Sequence, residues 1–406
     1  MTPLADRERA ALSARPVPDL SRLIDPIDVH TFRREHWERQ PLFVKRSDPG
    51  YFADLLTLAD VDEVLWLSGT DLRNIRVVID GKETPVDELK STARQNALEA
   101  LYEHYRNGST VVLNSLGDRW APLRRLGSVL GAELSARIQC NIYVTPAGNR
   151  GFVPHYDTHD VFIAQVHGTK HWRLAGQPYA LPLHGRPYDK SQPEPEPEQE
   201  IDLSAGDLLY LPRGTVHSAA SNETTSVHIT IGVHPLLYSD VVEHAVKRLF
   251  AEEEAFRKGL PMGFATDEQG QSQAVDQLVA LLGVLRDRLS PREMVTESVR
   301  RAISIAAPTL DGHLTDLERL GEVEADTKVI RRPDLRWTLA VDEEAVQLTF
   351  HDKTVQFPAH VADEVRYVAQ SNGAGFTGAS IPGDLDQPGR AVLVRTLMRE
   401  GFITFA

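Results

Sequence analysis

The chain is poor in cysteine, in long apolar runs and in positive charge, and each shortage removes a class of protein. A single cysteine, Cys140, among 406 residues excludes an intrachain disulfide. It precedes Asn141 in a β-prone run, so alternation turns it away from whatever Asn141 faces, as a small buried hydrophobe. No stretch of about 18 apolar residues is present, which argues against a membrane-spanning helix. The charged N-terminus also lacks the basic-then-apolar profile of a secretory signal, and the expectation is a cytoplasmic protein. Lys and Arg number 44 against 58 Asp and Glu, a net charge of −14. Affinity for nucleic acid or an anionic membrane comes largely from neutralised phosphates, so neither is an expected partner, whereas a basic protein or peptide is.

What the chain does contain is a metal-ligand pattern. His155-Tyr156-Asp157 is followed by His217, sixty residues beyond Asp157 (217 − 157). Two imidazoles and a carboxylate on one side of a metal leave the other positions open, the arrangement of non-haem Fe(II) oxygenases. On a strand, residues i and i+2 share a face, so His155 and Asp157 are expected to point into a barrel with Tyr156 turned away, and His217 to come from a different strand. An isolated His-x-Asp is common by chance; its surroundings give it weight. Val161-Phe162-Ile163-Ala164-Gln165-Val166 is apolar and β-prone, and His167-Gly168-Thr169 reads as a hairpin turn into Lys170-His171-Trp172-Arg173-Leu174. Gly206-Asp207, Leu208-Leu209-Tyr210-Leu211 and Pro212-Arg213-Gly214 give turn, strand and turn before His217. Short strands punctuated in this way fit a double-sheet jelly roll of the cupin type.

These segments, together with Asn141-Ile142-Tyr143, Pro154-His155-Tyr156-Asp157 and the earlier His36-Trp37-Glu38-Arg39-Gln40-Pro41-Leu42, resemble the JmjC-type 2-oxoglutarate oxygenases, and among them the ribosomal oxygenases. The resemblance runs from near residue 30 to near residue 235. It implies an α+β fold: a double-stranded β-helix core with a helical surround, a helical dimerisation region and a C-terminal winged-helix-like domain. It also implies Fe(II) held by His155, Asp157 and His217, with 2-oxoglutarate and O2 as co-substrates. The distal carboxylate of 2-oxoglutarate needs a cation, and Lys170 stands where the family has a basic residue; a buried ammonium is tolerated when paired with a carboxylate. Tyr143 and Asn141, two apart on one strand, are expected to hydrogen-bond the co-substrate. Ser226, His228 and Thr230 share one face of the last barrel strand. Thr230 is taken as a further contact, His228 as a satisfied core histidine, and Gly232 stands where the family often has another hydroxyl.

A length of 406 residues exceeds what one core usually supports. The expected units are a flexible N-terminus over 1–20, an oxygenase domain with flanking elements over 21–235, a helical region over 236–330 and a winged-helix-like domain over 335–406. Helices are expected at 92–106 and 122–134, with a strand at 110–113 between them. The Gln192 to Glu200 run, with three prolines, is expected as an exposed extended loop. Beyond the barrel, 239–258 and 268–289 carry apolar residues at helical spacing, and a homodimer is expected. From Trp337 to Ala406, nine acidic residues face five basic ones, a local charge of −4, which argues against DNA binding by a winged helix. The reading is a protein hydroxylase acting on a ribosomal protein. Hydroxylation of another peptide or a small natural product, and a non-catalytic metal-binding cupin, stay open.

Overall fold

The computed structural model describes residues 18–68, 72–85, 97–189, 191, 195–304, 310–333, 335–371 and 373–406. The N-terminal segment as far as residue 17, the expected start of the helix near Thr92 and residues 192–194 of the proline-rich run lie outside the described residues. The chain clusters into two units, 1–235 and 236–406.

Among the described residues the first unit has eleven strands. They are β1 (Leu42–Val44), β2 (Ile75–Ile79), β3 (Lys82–Thr84), β4 (Thr110–Leu113), β5 (Ala136–Thr145), β6 (Asp160–His167), β7 (Thr169–Leu174), β8 (Gln199–Ser204), β9 (Leu208–Leu211), β10 (His217–Ser221) and β11 (Ser226–Pro235). Eight form one sheet in the order β1-β9-β6-β11-β5-β4-β2-β3, and β10-β7-β8 form a second. The longest ladders, β11 with β5 and β11 with β6, are antiparallel and set the frame.

Alternation along these strands divides the unit into layers. Even-numbered Cys140, Ile142 and Val144 of β5 and odd-numbered Val227, Ile229, Ile231 and Val233 of β11 enter one apolar cluster. Leu123, Leu126 and Leu130 of the helix Ala121–Leu134 join it, spaced at i, i+3 and i+7 as one face of a helix requires. Each such fully buried side chain contributes roughly 1.5–3 kcal/mol. The opposite faces of β5 and β11 are left for polar residues: Asn141, Tyr143 and Thr145 on one, His228 and Thr230 on the other. A second cluster, with Val161, Ile163, Trp172, Leu174, Leu203 and Leu211, joins the two sheets on that side. The β6–β7 hairpin turns at Gly168, whose φ is +65°; a Cβ there would fall 1.9 Å from the Thr225 carbonyl oxygen, so only glycine fits.

The second unit opens with helices Tyr238–Glu252, Glu268–Arg288 and Pro291–Ser304. Two three-stranded sheets and further helices follow, around Val346, Phe350, Val365, Leu397 and Phe402. Trp337–Val341 and Ala345–Phe350 are the first two strands of one of these sheets. Lys353–Pro358 and Lys328–Arg331 are additional strands. Among the described residues no helix is long and apolar enough to cross a membrane.

Candidate metal centre

His155 and Asp157 do not lie within a strand, contrary to the alternation expected for them. They occupy the loop between β5 and β6, where Pro154 has no N–H to give a ladder and the bridges are isolated ones, Arg150 with Ala220 and His155 with His217. In that bridge His155 N donates to the His217 carbonyl at 3.1 Å and His217 N donates back at 2.8 Å. His217 is the first residue of β10, so the second imidazole does come from a separate strand. Tyr156 points away, its hydroxyl donating to the Arg186 carbonyl at 3.1 Å. One ligand atom from each of His155, Asp157 and His217 falls within 4.8 Å of the other two.

The backbone fixes which imidazole nitrogen faces inward. His155 Nδ1 lies 2.9 Å from the Val153 carbonyl, and His217 Nδ1 lies 3.0 Å from the Thr215 carbonyl. A carbonyl only accepts, so each Nδ1 carries the proton and each Nε2 keeps a free lone pair. His217 Nε2 stands 3.8 Å from an Asp157 carboxylate oxygen. Burial, with His155 nearby, pushes the His217 imidazole down to about 4, so it is neutral and able to ligate at neutral pH. Burial alone would raise the Asp157 carboxyl; His217, His159, His155 and His234 outweigh it and hold the group below the usual carboxylate range. Two imidazole nitrogens and one carboxylate fit a divalent first-row metal.

The polar residues on the inner faces of β5, β7 and β11 converge on the same interior. Lys170 is almost fully buried and donates from Nζ to Thr145 Oγ1 at 3.1 Å; among the described residues no carboxylate pairs with it. Burial pushes its ammonium down to about 7. Tyr143 stacks on His228 with ring centroids 4.8 Å apart and meets Phe152 edge-on at 5.7 Å. Burial, then the Asp157 charge, raises its phenol. His228 is not the satisfied core histidine expected: its buried Nδ1 has no hydrogen-bond partner, and neither has Trp172 Nε1, the two rings lying 5.6 Å apart. Trp172 also touches His217, at 5.9 Å, so this unsatisfied polar lining runs from the triad toward Lys170. Buried polar atoms without partners cost free energy unless a ligand supplies them.

Asn141 and Thr230 face each other across the β5–β11 ladder. Asn141 Oδ1 accepts from Ser115 N at 2.9 Å. Four residues separate Asn141 from Thr145, about 13 Å of strand, so this pair sits away from Lys170. At Gly232 a Cβ would come within 2.9 Å of the His159 ring, so the missing hydroxyl at that position is replaced by an imidazole packed against the strand. His159 stacks in turn on His234 at 4.4 Å. Thr145 and the His159–His234 stack carry no local signal in the sequence, whereas the alternation of Lys170, Trp172 and Leu174 marks Trp172 as facing inward.

Residues 119–241 match the family described as "JmjC domain". Over these residues the chain is similar to JmjC domains, and its relatives include ribosomal oxygenases. It is 34% identical over 260 residues to "Ribosomal oxygenase 1" of Gallus gallus, covering 62% of this chain and 43% of that one. It is 31% identical over 290 residues to "Ribosomal oxygenase 2" of Mus musculus, covering 68% and 61%. The chain therefore spans less than two thirds of these relatives' own length. The structure of Escherichia coli ribosomal oxygenase YcfD, 18% identical, superposes with a TM-score of 0.53 over 94% of this chain and 98% of that one, a likeness of fold. YcfD has also been solved in complex with cobalt and 2-oxoglutarate. The JmjC domain so delimited contains all seven side chains singled out from the sequence: His155, Asp157, His217, Lys170, Tyr143, Asn141 and Thr230.

Proposed function

We propose that the protein is an Fe(II)- and 2-oxoglutarate-dependent hydroxylase acting on a protein side chain, with a ribosomal protein as substrate. The observation that carries this reading is the pairing, in one interior, of the His155–Asp157–His217 triad with a buried Lys170 that has no carboxylate partner among the described residues. His155 and His217 would offer Nε2 and Asp157 a carboxylate oxygen to the metal. Lys170 would pair the distal carboxylate of 2-oxoglutarate, with Thr145 holding its Nζ in place. The Tyr143 phenol and the free His228 Nδ1 would satisfy the remaining oxygens, and Trp172 would form the apolar wall between the two ends. Asn141 and Thr230, paired across the β5–β11 ladder, would line the same interior away from Lys170. When bound, iron with 2-oxoglutarate and O2 supplies the oxidising power for hydroxylation of a C–H bond, succinate and carbon dioxide being the by-products. The chain's own share is ligand geometry, co-substrate orientation and a dry wall.

The relatives' identity as ribosomal oxygenases supports a ribosomal substrate, and the net charge of −14 is suited to a basic one. For the remainder of the chain the reading is a homodimer in the cytoplasm, with a helical dimerisation region over 236–330 and a winged-helix-like protein-contact domain over 335–406. Val275, Leu278, Val279 and Leu282 support the dimer: they form one exposed apolar stripe on the helix Glu268–Arg288 at i, i+3, i+4 and i+7. Val279→Glu should then yield a species of one-chain mass by sedimentation. The test of the activity is succinate formation from 2-oxoglutarate with Fe(II) in air, with and without ribosomal proteins. Stimulated succinate with a shift of about +16 Da on one protein is expected, one added oxygen. Turnover with no shifted protein moves the substrate to a peptide or small molecule, and no turnover leaves a non-catalytic cupin.

A further inference from the structure

The segment Trp37-Glu38, far from the triad in sequence, ends in a buried polar network whose other members flank the metal ligands. Arg213, four residues before His217, donates from Nη1 to Asp160 Oδ2 at 2.7 Å and to Glu38 Oε1 at 2.6 Å. Asp160, three residues after Asp157, also accepts from the Tyr210 hydroxyl at 3.0 Å, and that hydroxyl accepts from Glu38 N at 2.9 Å. Asp160 is fully buried and the Arg213 side chain is only 6% exposed. Glu38 holds a left-handed backbone, φ 57°, a conformation that costs energy for a residue with a side chain. Trp37 stacks on Tyr210 at 6.1 Å and β1 pairs with β9, so the segment is anchored on both sides of Glu38.

The two ligand-bearing loops meet next to this network. Gly214 N donates to the Asp157 carbonyl at 3.0 Å, and the Thr215 carbonyl orients the His217 ring. The one arginine thus stands at the start of a three-residue run whose successive members bind Asp160, the backbone of Asp157 and the imidazole of His217. We infer that Arg213 is a positioning residue for the metal centre, with Asp160 and Glu38 as its anchors, fixing the loop that carries His155 and Asp157 against the loop that delivers His217. It touches neither substrate nor the reacting atoms. The inference rests on the metal-site reading above. Both carboxylates bind one nitrogen, Nη1, held in place by the rigid guanidinium plane; a lysine keeps the charge but carries it as a point ammonium on a different stem.

The experiment is Co(II) titration of the purified full chain without oxygen, read by the cobalt d–d absorption bands, with circular dichroism and melting temperature as fold controls. Arg213→Lys should retain the fold yet bind Co(II) about tenfold or more weakly with shifted bands, as loss of a residue that orients metal ligands does. Arg34→Lys, at an exposed pair with Glu35, should bind as the parent does. A folded Arg213→Lys with parental affinity and spectrum overturns the inference. If Arg213→Lys does not fold, Glu38→Gln decides, since Glu38 is partly exposed: weakened cobalt binding with shifted bands supports the inference, and parental binding overturns it. Absence of cobalt binding in the parent would overturn the metal site itself. Binding in the parent that is lost in His155→Ala shows the site intact and isolates the role of Arg213.

Discussion

The two ends of the interior pocket are built on opposite electrostatic terms. At the triad the Asp157 carboxylate is surrounded by imidazoles that hold it ionised, and both ligating histidines have their tautomers set by backbone carbonyls. At the far end Lys170 donates to the Thr145 hydroxyl and carries a burial cost that no carboxylate among the described residues offsets. The first end is preorganised without a ligand; the second is destabilised without one. A site of this form asks for a bifunctional molecule, with a metal-chelating head and an anionic tail, and that is the physical content of the 2-oxoglutarate reading.

The comparison breaks first at the triad. Asp157→Ala removes the only anion among the three ligands, and metal binding measured by calorimetry should fall below detection, with 2-oxoglutarate turnover lost. The Lys170 end sharpens it through pH. The folded ammonium sits at about 7, below its ordinary value of 10.5, so the free protein loses the proton that a carboxylate needs as pH rises through about 7. Affinity for 2-oxoglutarate in the metal-loaded protein should therefore fall by up to about tenfold per pH unit above 7, a slope of one proton.

The same depressed value fixes the sign for stability. The folded state binds fewer protons than the unfolded one between about 7 and 10.5, so stability rises with pH through that window, and the Lys170 penalty is fully present below it. Lys170→Met should then stabilise the ligand-free protein at pH 6 by about 1–3 kcal/mol, checked by urea denaturation. A loss of stability would mean that the Thr145 hydrogen bond outweighs the burial cost. The smallest effect is expected at Tyr143→Phe, where loss of one hydrogen bond should weaken 2-oxoglutarate by about 1 kcal/mol in a binding titration.

How much of this could be read from the chain depends on sequence distance. His155, Asp157, Lys170 and Tyr143 lie within short runs whose turn signals and apolar alternation reveal the strands around them. His217 is fixed by the Pro-Arg-Gly turn before it. The expected strand for His155 and Asp157 failed because period-2 spacing is also met by a loop held by isolated bridges rather than a ladder. His228 was misread because alternation gives its face but not whether its Nδ1 finds a partner. The Arg213–Glu38 pair spans 175 residues and joins a left-handed residue to a barrel turn, a contact that no local pattern announces.

The most direct measurement is calorimetric titration of 2-oxoglutarate into the Mn(II)-loaded, oxygen-free protein at pH 6.5, for the parent and for Lys170→Met, with Mn(II) affinity determined alongside. Losing one partner of a buried charge pair should weaken 2-oxoglutarate about thirtyfold or more while Mn(II) affinity stays parental. Equal 2-oxoglutarate affinity in the two proteins would contradict the two-ended pocket and remove Lys170 from it.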